Sequence, residues 1–425
     1  MLLGNFIIAA ALTLMLYLVI LFSCPAVFAD SRYPYILVVY LAAALSALLL
    51  GRAGASLLYF APFTLAAIML QAFMEPREIA PVYVVSMMPL LFASSRGPVM
   101  FVMYVLAGLV MILIFRRFQR GWKQFLAAMI TFAILACVYL GFRAADVVSG
   151  SVWGVLMALF AGSLLTVAGY PLVFLFERIF NLVSNSRLIE LCDTSNPLIR
   201  TLEQKAPGTF QHSLQVMNMA DAVARAIGIN PDLIRAGALY HDIGKTCNPL
   251  CFVENESLLN QDEEHKYHSG LTPLQSAHDI KRHVDDGIEI AQKHHMPQLI
   301  VDFIATHHGT TLVRFFYNKF LKEGGDPALA PEFRYNGRKP VTKAQIVLML
   351  CDSVEAASRT VRENTPKAYS DFVEGIVAGK LDEGQFDNAD ITISELNTVK
   401  ETLKQYLAQL NHERIAYPKN KSNKK

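Results

Sequence analysis

Charge is divided along this chain so unevenly that the first 176 residues cannot fold as an ordinary water-soluble core. Of 38 basic and 36 acidic side chains, only 13 precede Glu177. Overall, 53% of residues are hydrophobic and 17% charged, against the quarter or so charged in a typical soluble protein. The front half instead offers apolar segments over residues 6–28, 35–50, 57–73, 79–92, 99–115, 125–142 and 152–176. A bilayer-spanning helix needs roughly 20 apolar residues, so the second and fourth segments are short and the expected number of spans is about seven. No basic stretch precedes the first apolar run, which argues against a cleavable signal peptide. No carboxylate, histidine or lysine falls in mid-span, as a proton-coupled pump would require. Gly108, Gly154, Gly162 and Gly169 are expected to serve helix packing, and Pro62, Pro89 and Pro171 mark candidate kinks.

Basic residues between the segments set an orientation. With the N-terminus outside, inner loops hold Arg32, Arg77, Arg116, Arg117, Arg120, Lys123, Arg178 and Arg187, and outer loops hold Arg52, Arg96 and Arg143. Seven spans then deliver the remainder to the cytoplasm. A net charge of +2 excludes an electrostatically driven nucleic-acid binder. The six cysteines form no CxxC pair, and reduced thiols are expected.

All 11 histidines lie from His212 onward. Five of them, with two aspartates, form a spaced series: His212, His241-Asp242, His283, His307-His308 and Asp352. Neutral imidazole and carboxylate suit divalent transition metals. Seven such ligands exceed what one ion takes and suit two sharing a carboxylate. His278-Asp279 lacks the Ile-Gly-Lys that follows His241-Asp242 and is assigned to surface or packing. His265, His268, His294, His295 and His412 sit among polar residues and are expected to be solvated.

The surrounding pattern is helical: 210–227 after a break at Ala206-Pro207-Gly208-Thr209, 231–241 capped by Asn230, then 277–294, 298–307, 343–361, 366–378 and 393–415. Residues 323–340, rich in Gly and Pro, form a loop or lid. Residues 177–200 look like an amphipathic helix continuing the last span and breaking at Ser195-Asn196-Pro197. The fold class is therefore all-α: a polytopic helical membrane domain (1–176), a juxtamembrane helical linker (177–200), an all-helical catalytic domain (201–418) and a disordered basic tail (419–425).

Five stretches carry a resemblance: Phe210-Gln211-His212-Ser213-Leu214, Tyr240-His241-Asp242-Ile243-Gly244-Lys245, His283-Val284-Asp285-Asp286-Gly287, His307-His308-Gly309-Thr310-Thr311 and Cys351 through Arg359. They resemble the HD-domain superfamily and, more narrowly, the seven-transmembrane HD phosphodiesterases of the PgpH type. Members carry a further N-terminal span and an extracellular domain ahead of the point where this sequence begins. His268-Ser269-Gly270 stands where they tend to have His-Asp-Lys.

The resemblance implies a bacterial inner-membrane, multi-pass enzyme that opens cyclic di-AMP to linear pApA. It implies one ion on His212, His241, Asp242 and Asp352 and another on Asp242, His283, His307 and His308, the pair activating water for attack on phosphorus. Iron or manganese is favoured over zinc for such mixed sites. His241, Asp242 and Lys245 are the catalytic candidates, and Lys245, Thr310 and Thr311 the candidates for contacting substrate phosphate. The partners implied are a cyclic dinucleotide, the bilayer and a second copy of the chain, without a nucleic-acid polymer. Nothing in the residues reads adenine, so hydrolysis of cyclic di-GMP, dNTP or (p)ppGpp, or nucleotide binding without turnover, are the competing readings. The absence of Gly-Tyr-Pro after His308 disfavours cyclic di-GMP.

Overall fold

The computed structural model describes residues 2–29, 31–114, 122–256, 266–359, 361, 363 and 365–412. It is 79% helical. Among the described residues no strand forms, and one isolated antiparallel bridge joins Leu312 to Arg334. The chain divides into two compact units, Met1–Arg187 and Leu188–Lys425. Arg116, Arg117, Arg120, His265 and the basic tail lie outside the described residues.

The first unit comprises α1 (Leu2–Ser23), α2 (Arg32–Ala53), α3 (Leu65–Phe73), α4 (Pro76–Met87), α5 (Gly97–Ile114), α6 (Lys123–Ala144), α7 (Val152–Leu165) and α8 (Gly169–Phe180). Of these α1, α2, α5 and α6 are individually long and apolar enough to cross a membrane, and the pair α7–α8, bent by 45°, makes a fifth. The expected third and fourth spans are interrupted instead. α3 has 9 residues and α4 has 12, which at 1.5 Å per residue fall short of a ~30 Å hydrocarbon core. Pro62 lies ahead of α3, and Pro89 is the second residue of the 3-10 turn Met88–Phe92 that follows α4. The bend in the last segment falls beside Pro171.

Buried tyrosines bind these broken pieces together. Tyr35 Oη donates to the Met69 carbonyl at 2.7 Å, Tyr83 Oη to Tyr104 at 2.7 Å, and Tyr104 Oη to Leu58 and Ala61, both at 2.9 Å. Three of the four candidate packing glycines admit a close neighbour: a Cβ on Gly108 would meet the Tyr83 ring at 2.2 Å, and one on Gly162 the Phe60 carbonyl at 2.5 Å. Gly169 faces Leu65 at 2.5 Å, whereas Gly154 meets only Ser151 on its own helix. Outward-facing Phe22 (83% exposed), Trp153 (79%) and Leu113 (75%) leave the surface apolar, as membrane anchoring requires.

The expected continuous linker is also broken. α8 ends at Asn181 in the left-handed region, and α9 (Asn185–Leu191) starts anew. The second unit then contains α10 (Pro197–Lys205), α11 (Pro207–Ile227), α12 (Pro231–Tyr240), the short α13 (Val253–Glu256), α14 (Pro273–Lys293), α15 (Gln298–Thr306), α16 (Arg314–Lys322), α17 (Lys343–Ser358), α18 (Pro366–Asp382) and α19 (Ile393–His412). α17 is buried continuously from Ala344 to Asp352 and forms the centre against which α11, α12, α15, α18 and α19 pack.

Local chemistry sets the helix ends. α11 stops at Gly228, whose φ of 75° a side chain would strain. Asn230 caps α12 through the Asp232 N–H. Capping boxes at Thr272 and Thr342 open α14 and α17. Thr209, placed in a break by the sequence, lies inside α11, where its N–H donates to Asn255 Oδ1 at 3.1 Å. The loop at 323–340 is anchored: Phe333 is fully buried, and its carbonyl accepts from the Val313 N–H.

Candidate metal centre

Two helix ends and positions inside three further helices bring the spaced histidines and aspartates to one place. His241 and His307 cap the C-termini of α12 and α15, where the last carbonyls have no intrahelical partner. Each ring uses one of those carbonyls. His241 Nδ1 donates to Ala238 at 2.7 Å, and His307 Nδ1 to Ile304 at 2.7 Å. His283 on α14 repeats the arrangement with Ile280 at 2.6 Å. A carbonyl can only accept, so each of these three rings donates from Nδ1 and turns its Nε2 inward.

His212, one turn into α11, has no free carbonyl and uses a carboxylate. Its Nδ1 meets Glu355 of α17, and its Nε2 lies 3.0 Å from Asp352 Oδ1. Asp242 stands in the middle. Its Oδ2 is 3.3 Å from His241 Nε2 and 3.8 Å from His212 Nε2, and its Oδ1 is 3.4 Å from His283 Nε2 and 3.5 Å from His307 Nε2. His308 approaches Asp352 at 3.7 Å and stacks on Tyr335 with centroids 4.3 Å apart. Two ligand groups result: Asp242, His283, His307 and His308, and His212, His241 and Asp352. All but His308 are buried.

The electrostatics favour a cation at the centre. Burial works against the charged form of Asp242, but Lys245 and His241 outweigh it and hold its carboxyl well below the usual range. Asp352 is likewise held low by His212 and His241 against its burial. Burial drives His283 down to about 3 and keeps its ring neutral, a ligand's state. His212 and His241, although buried, are raised to about 9 and about 10 by the carboxylates facing them. Those two rings hold protons where the acids demand positive charge. Among the described residues the buried His241 Nε2 and Asp242 Oδ1 have no hydrogen-bond partner, a costly state unless a cation takes them. This donor set fits divalent metal ions.

The three expected substrate contacts are placed differently. Lys245 Nζ pairs with Asp242 Oδ2 at 2.8 Å and Glu254 Oε1 at 2.9 Å, above the Phe252 ring. Thr310 exchanges hydrogen bonds with Gln385, through its N–H at 3.0 Å and its hydroxyl at 3.0 Å. Thr311 Oγ1 donates to the His308 carbonyl at 2.8 Å. Lys245 and Thr311 still line a cavity of about 880 Å³ that opens from His212, His308 and Asp352. Thr310 is outside that lining.

His278 is exposed, 3.6 Å from Glu332, and Asp279 accepts from the Tyr267 hydroxyl. His294 and His295 are exposed. His268 departs from expectation: it is half-buried, and its Nε2 donates to the Cys251 carbonyl at 2.9 Å. Glu355, Glu254, Tyr335 and Gln385 surround the ligands and were assigned no role from sequence. Glu355 lies three residues after Asp352, on the same face of α17, which is a usable signal. Tyr335, inside an irregular loop, has none.

An all-helical domain in which a His-Asp pair joins histidines from three other helices and a later aspartate is an HD domain. Residues 209–357 match the HD domain family. Among relatives, the cyclic-di-AMP phosphodiesterase PgpH of Listeria monocytogenes is 43% identical over 60% of this chain and 35% of its own length. That of Bacillus subtilis is 40% identical over 61% of this chain and, again, 35% of its own. A solved structure of the L. monocytogenes PgpH HD domain in complex with cyclic-di-AMP aligns at 43% identity and TM-score 0.47, over 51% of this chain and 98% of that one. The chain thus carries an HD domain, and across that part it is similar to the PgpH phosphodiesterases. It spans about a third of the length of these curated relatives.

Proposed function

We propose that this chain is a membrane-anchored, metal-dependent phosphodiesterase that hydrolyses cyclic di-AMP to pApA. The observation that carries the reading is the convergence of His212, His241, Asp242, His283, His307, His308 and Asp352, with ligand atoms in two groups that meet at Asp242. His212, His241 and Asp352 would hold one divalent ion, His283, His307 and His308 a second, and Asp242 would contribute to both. Manganese or iron is the proposed pair for this mixed imidazole and carboxylate set, which zinc would also fit. When bound, two such ions lower the pKa of water and neutralise charge growing on phosphoryl oxygens.

The chain's own residues prepare that chemistry. The carbonyls of Ala238, Ile280 and Ile304 fix ring orientation, so no rotation is needed on binding. Lys245 keeps Asp242 ionised and in place through its 2.8 Å contact. From that position it can also meet a phosphate in the cavity it lines, and Thr311 offers a second polar edge. The cavity, about 880 Å³, is of the size that takes a ligand larger than a mononucleotide.

The domain plan proposed is a transmembrane domain over 1–176, a linker over 177–200 and an HD domain over 201–418. The chain sits in the bacterial inner membrane with the N-terminus outside and the HD domain cytoplasmic, and it assembles as a homodimer. The basic loops support this orientation. The test is a nucleotide panel with the full-length protein in bilayer discs, loaded with Mn²⁺, and products separated by chromatography. Cyclic di-AMP should be turned over first and pApA should accumulate. Preferential cleavage of cyclic di-GMP, dNTP or (p)ppGpp would reject the substrate.

A further inference from the structure

The cavity beside the metal centre has a wall that the HD family match does not include. The match ends at residue 357, whereas Phe372, Gly375, Ile376, Gly379 and Lys380, all on α18, line the cavity together with His212, His308 and Asp352. Two of these positions are glycine in a helix interior, where each costs about 1 kcal/mol relative to alanine. At Gly379 the missing side chain makes room for the Arg314 guanidinium, 3.5 Å from where a Cβ would stand. At Gly375 a Cβ would meet nothing within 4 Å. Gly375 is exposed at the cavity's wall, and nothing fills the place a side chain would take there.

Lys380 differs from every other cation there. Lys245 is paired with Asp242 and Glu254, Arg314 with Glu383, and Arg359 lies 3.9 Å from Glu355. Among the described residues Lys380 Nζ makes no hydrogen bond or ion pair, and burial lowers its pKa against the pull of the Asp352 and Glu383 carboxylates, which attract it without pairing. A half-buried ammonium that no carboxylate pairs is a ready partner for an incoming anion.

We propose that α18 is the subsite for the half of the dinucleotide that is not being cut: Lys380 supplies the counter-charge for its phosphate, and the bare face at Gly375 leaves the volume for its nucleoside. The inference rests on the cyclic-dinucleotide reading above and assigns to α18 what the metal ligands cannot supply, a preference for two phosphates over one. Lys380 is a substrate-binding residue here and performs no step at the scissile phosphorus.

The test compares two substrates on the Mn²⁺-loaded full-length protein: cyclic di-AMP, and bis(p-nitrophenyl) phosphate, a small diester with one phosphate. Lys380→Met should raise KM for cyclic di-AMP by about 10- to 100-fold, the range of one charge-assisted hydrogen bond, with kcat changed far less. Hydrolysis of the small diester should change less than about 3-fold, within the scatter of distant substitutions. Lys380→Arg should recover most of the loss. Gly375→Leu, which improves helix propensity and projects into the cavity, should block cyclic di-AMP and spare the small diester. Calorimetric titration of cyclic di-AMP into the chelator-treated protein should show the same weakening in Lys380→Met, independently of turnover.

Equal losses on both substrates, or an unchanged KM for cyclic di-AMP in Lys380→Met, would overturn the subsite while leaving the enzyme reading intact. A wild-type protein that cleaves the small diester and neither binds nor cleaves cyclic di-AMP would overturn both.

Discussion

Both units bury polar atoms among helices, but to opposite ends. In the first, the hydroxyls of Tyr35, Tyr83 and Tyr104 are spent on backbone carbonyls of neighbouring segments. Those polar atoms hold the chain. In the second, the rings of His241, His283 and His307 also reach carbonyls, yet with only one of their two nitrogens. The other nitrogen is left facing Asp242, and the chain holds it there. A buried polar group that is fully paired is structure, and one paired on its outer side alone is a site awaiting a ligand.

The most direct attack on that contrast is Asp242→Ala. Both ligand groups lose the carboxylate between them, so turnover should fall by more than about 10³-fold, as when one member of a catalytic unit is removed. Bound metal should fall with it. Retention of a full complement of metal by the variant would show that Asp242 is not shared.

Chelation tests the same contrast without mutation. Ions held at 1,000 times their dissociation constant add about 4 kcal/mol to the folded state they bind. For a unit of this size that is a Tm change of about 10 °C. Calorimetry should show the second unit's transition falling by that amount on metal removal while the first unit's stays. If both move together, the separation of roles is wrong. A smaller effect is expected one step out from the ligands: Glu355→Ala frees the His212 ring, and metal affinity should drop about 10- to 100-fold. Unchanged affinity would make Glu355 a packing residue.

How much of this was legible depends on sequence distance. His241 and His307 end helices whose final carbonyls lie three residues back, so ligand, orientation and partner sit within one turn. A reading of residue types and helix ends finds them. The partner of His212 lies 143 residues away on α17, and no local pattern joins the two. Tyr335 reaches His308 from an irregular segment, and α16 was hidden in the same way, its nine residues read as part of no element. In the first unit the apolar runs were plain but their interruptions were not. A run such as 57–73 is hydrophobic on every face, and periodicity cannot say where it bends. The break after α8 turns on a single left-handed residue, Asn181.

Within the first unit, Tyr104→Phe asks whether its buried hydroxyls do no more than pair. Carbonyls of Leu58 and Ala61 would lose their donor, at about 1 kcal/mol of stability, since side-chain hydrogen bonds in membranes average below that of a soluble core. Turnover at saturating metal should not change. A loss of turnover without a loss of stability would give the membrane unit a part in the chemistry.

The weakest effect is expected where polarity meets water. Glu395 at the start of α19 accepts from Lys343 Nζ at 2.7 Å and from the Thr392 N–H at 2.9 Å. Those bonds draw its carboxyl from 4.5 down to about 2. A carboxyl lowered by folding stabilises the fold above its unfolded value, and the contribution disappears as pH drops from about 4.5 toward 2. The pair is solvent-accessible, so its worth is below about 1 kcal/mol and shrinks with salt. Glu395→Gln should therefore flatten the acid limb of the second unit's stability slightly and leave neutral-pH turnover alone. A loss at neutral pH comparable to that of Glu355→Ala would mean that α19, packed behind α17, steers the metal centre through the helix that carries Asp352.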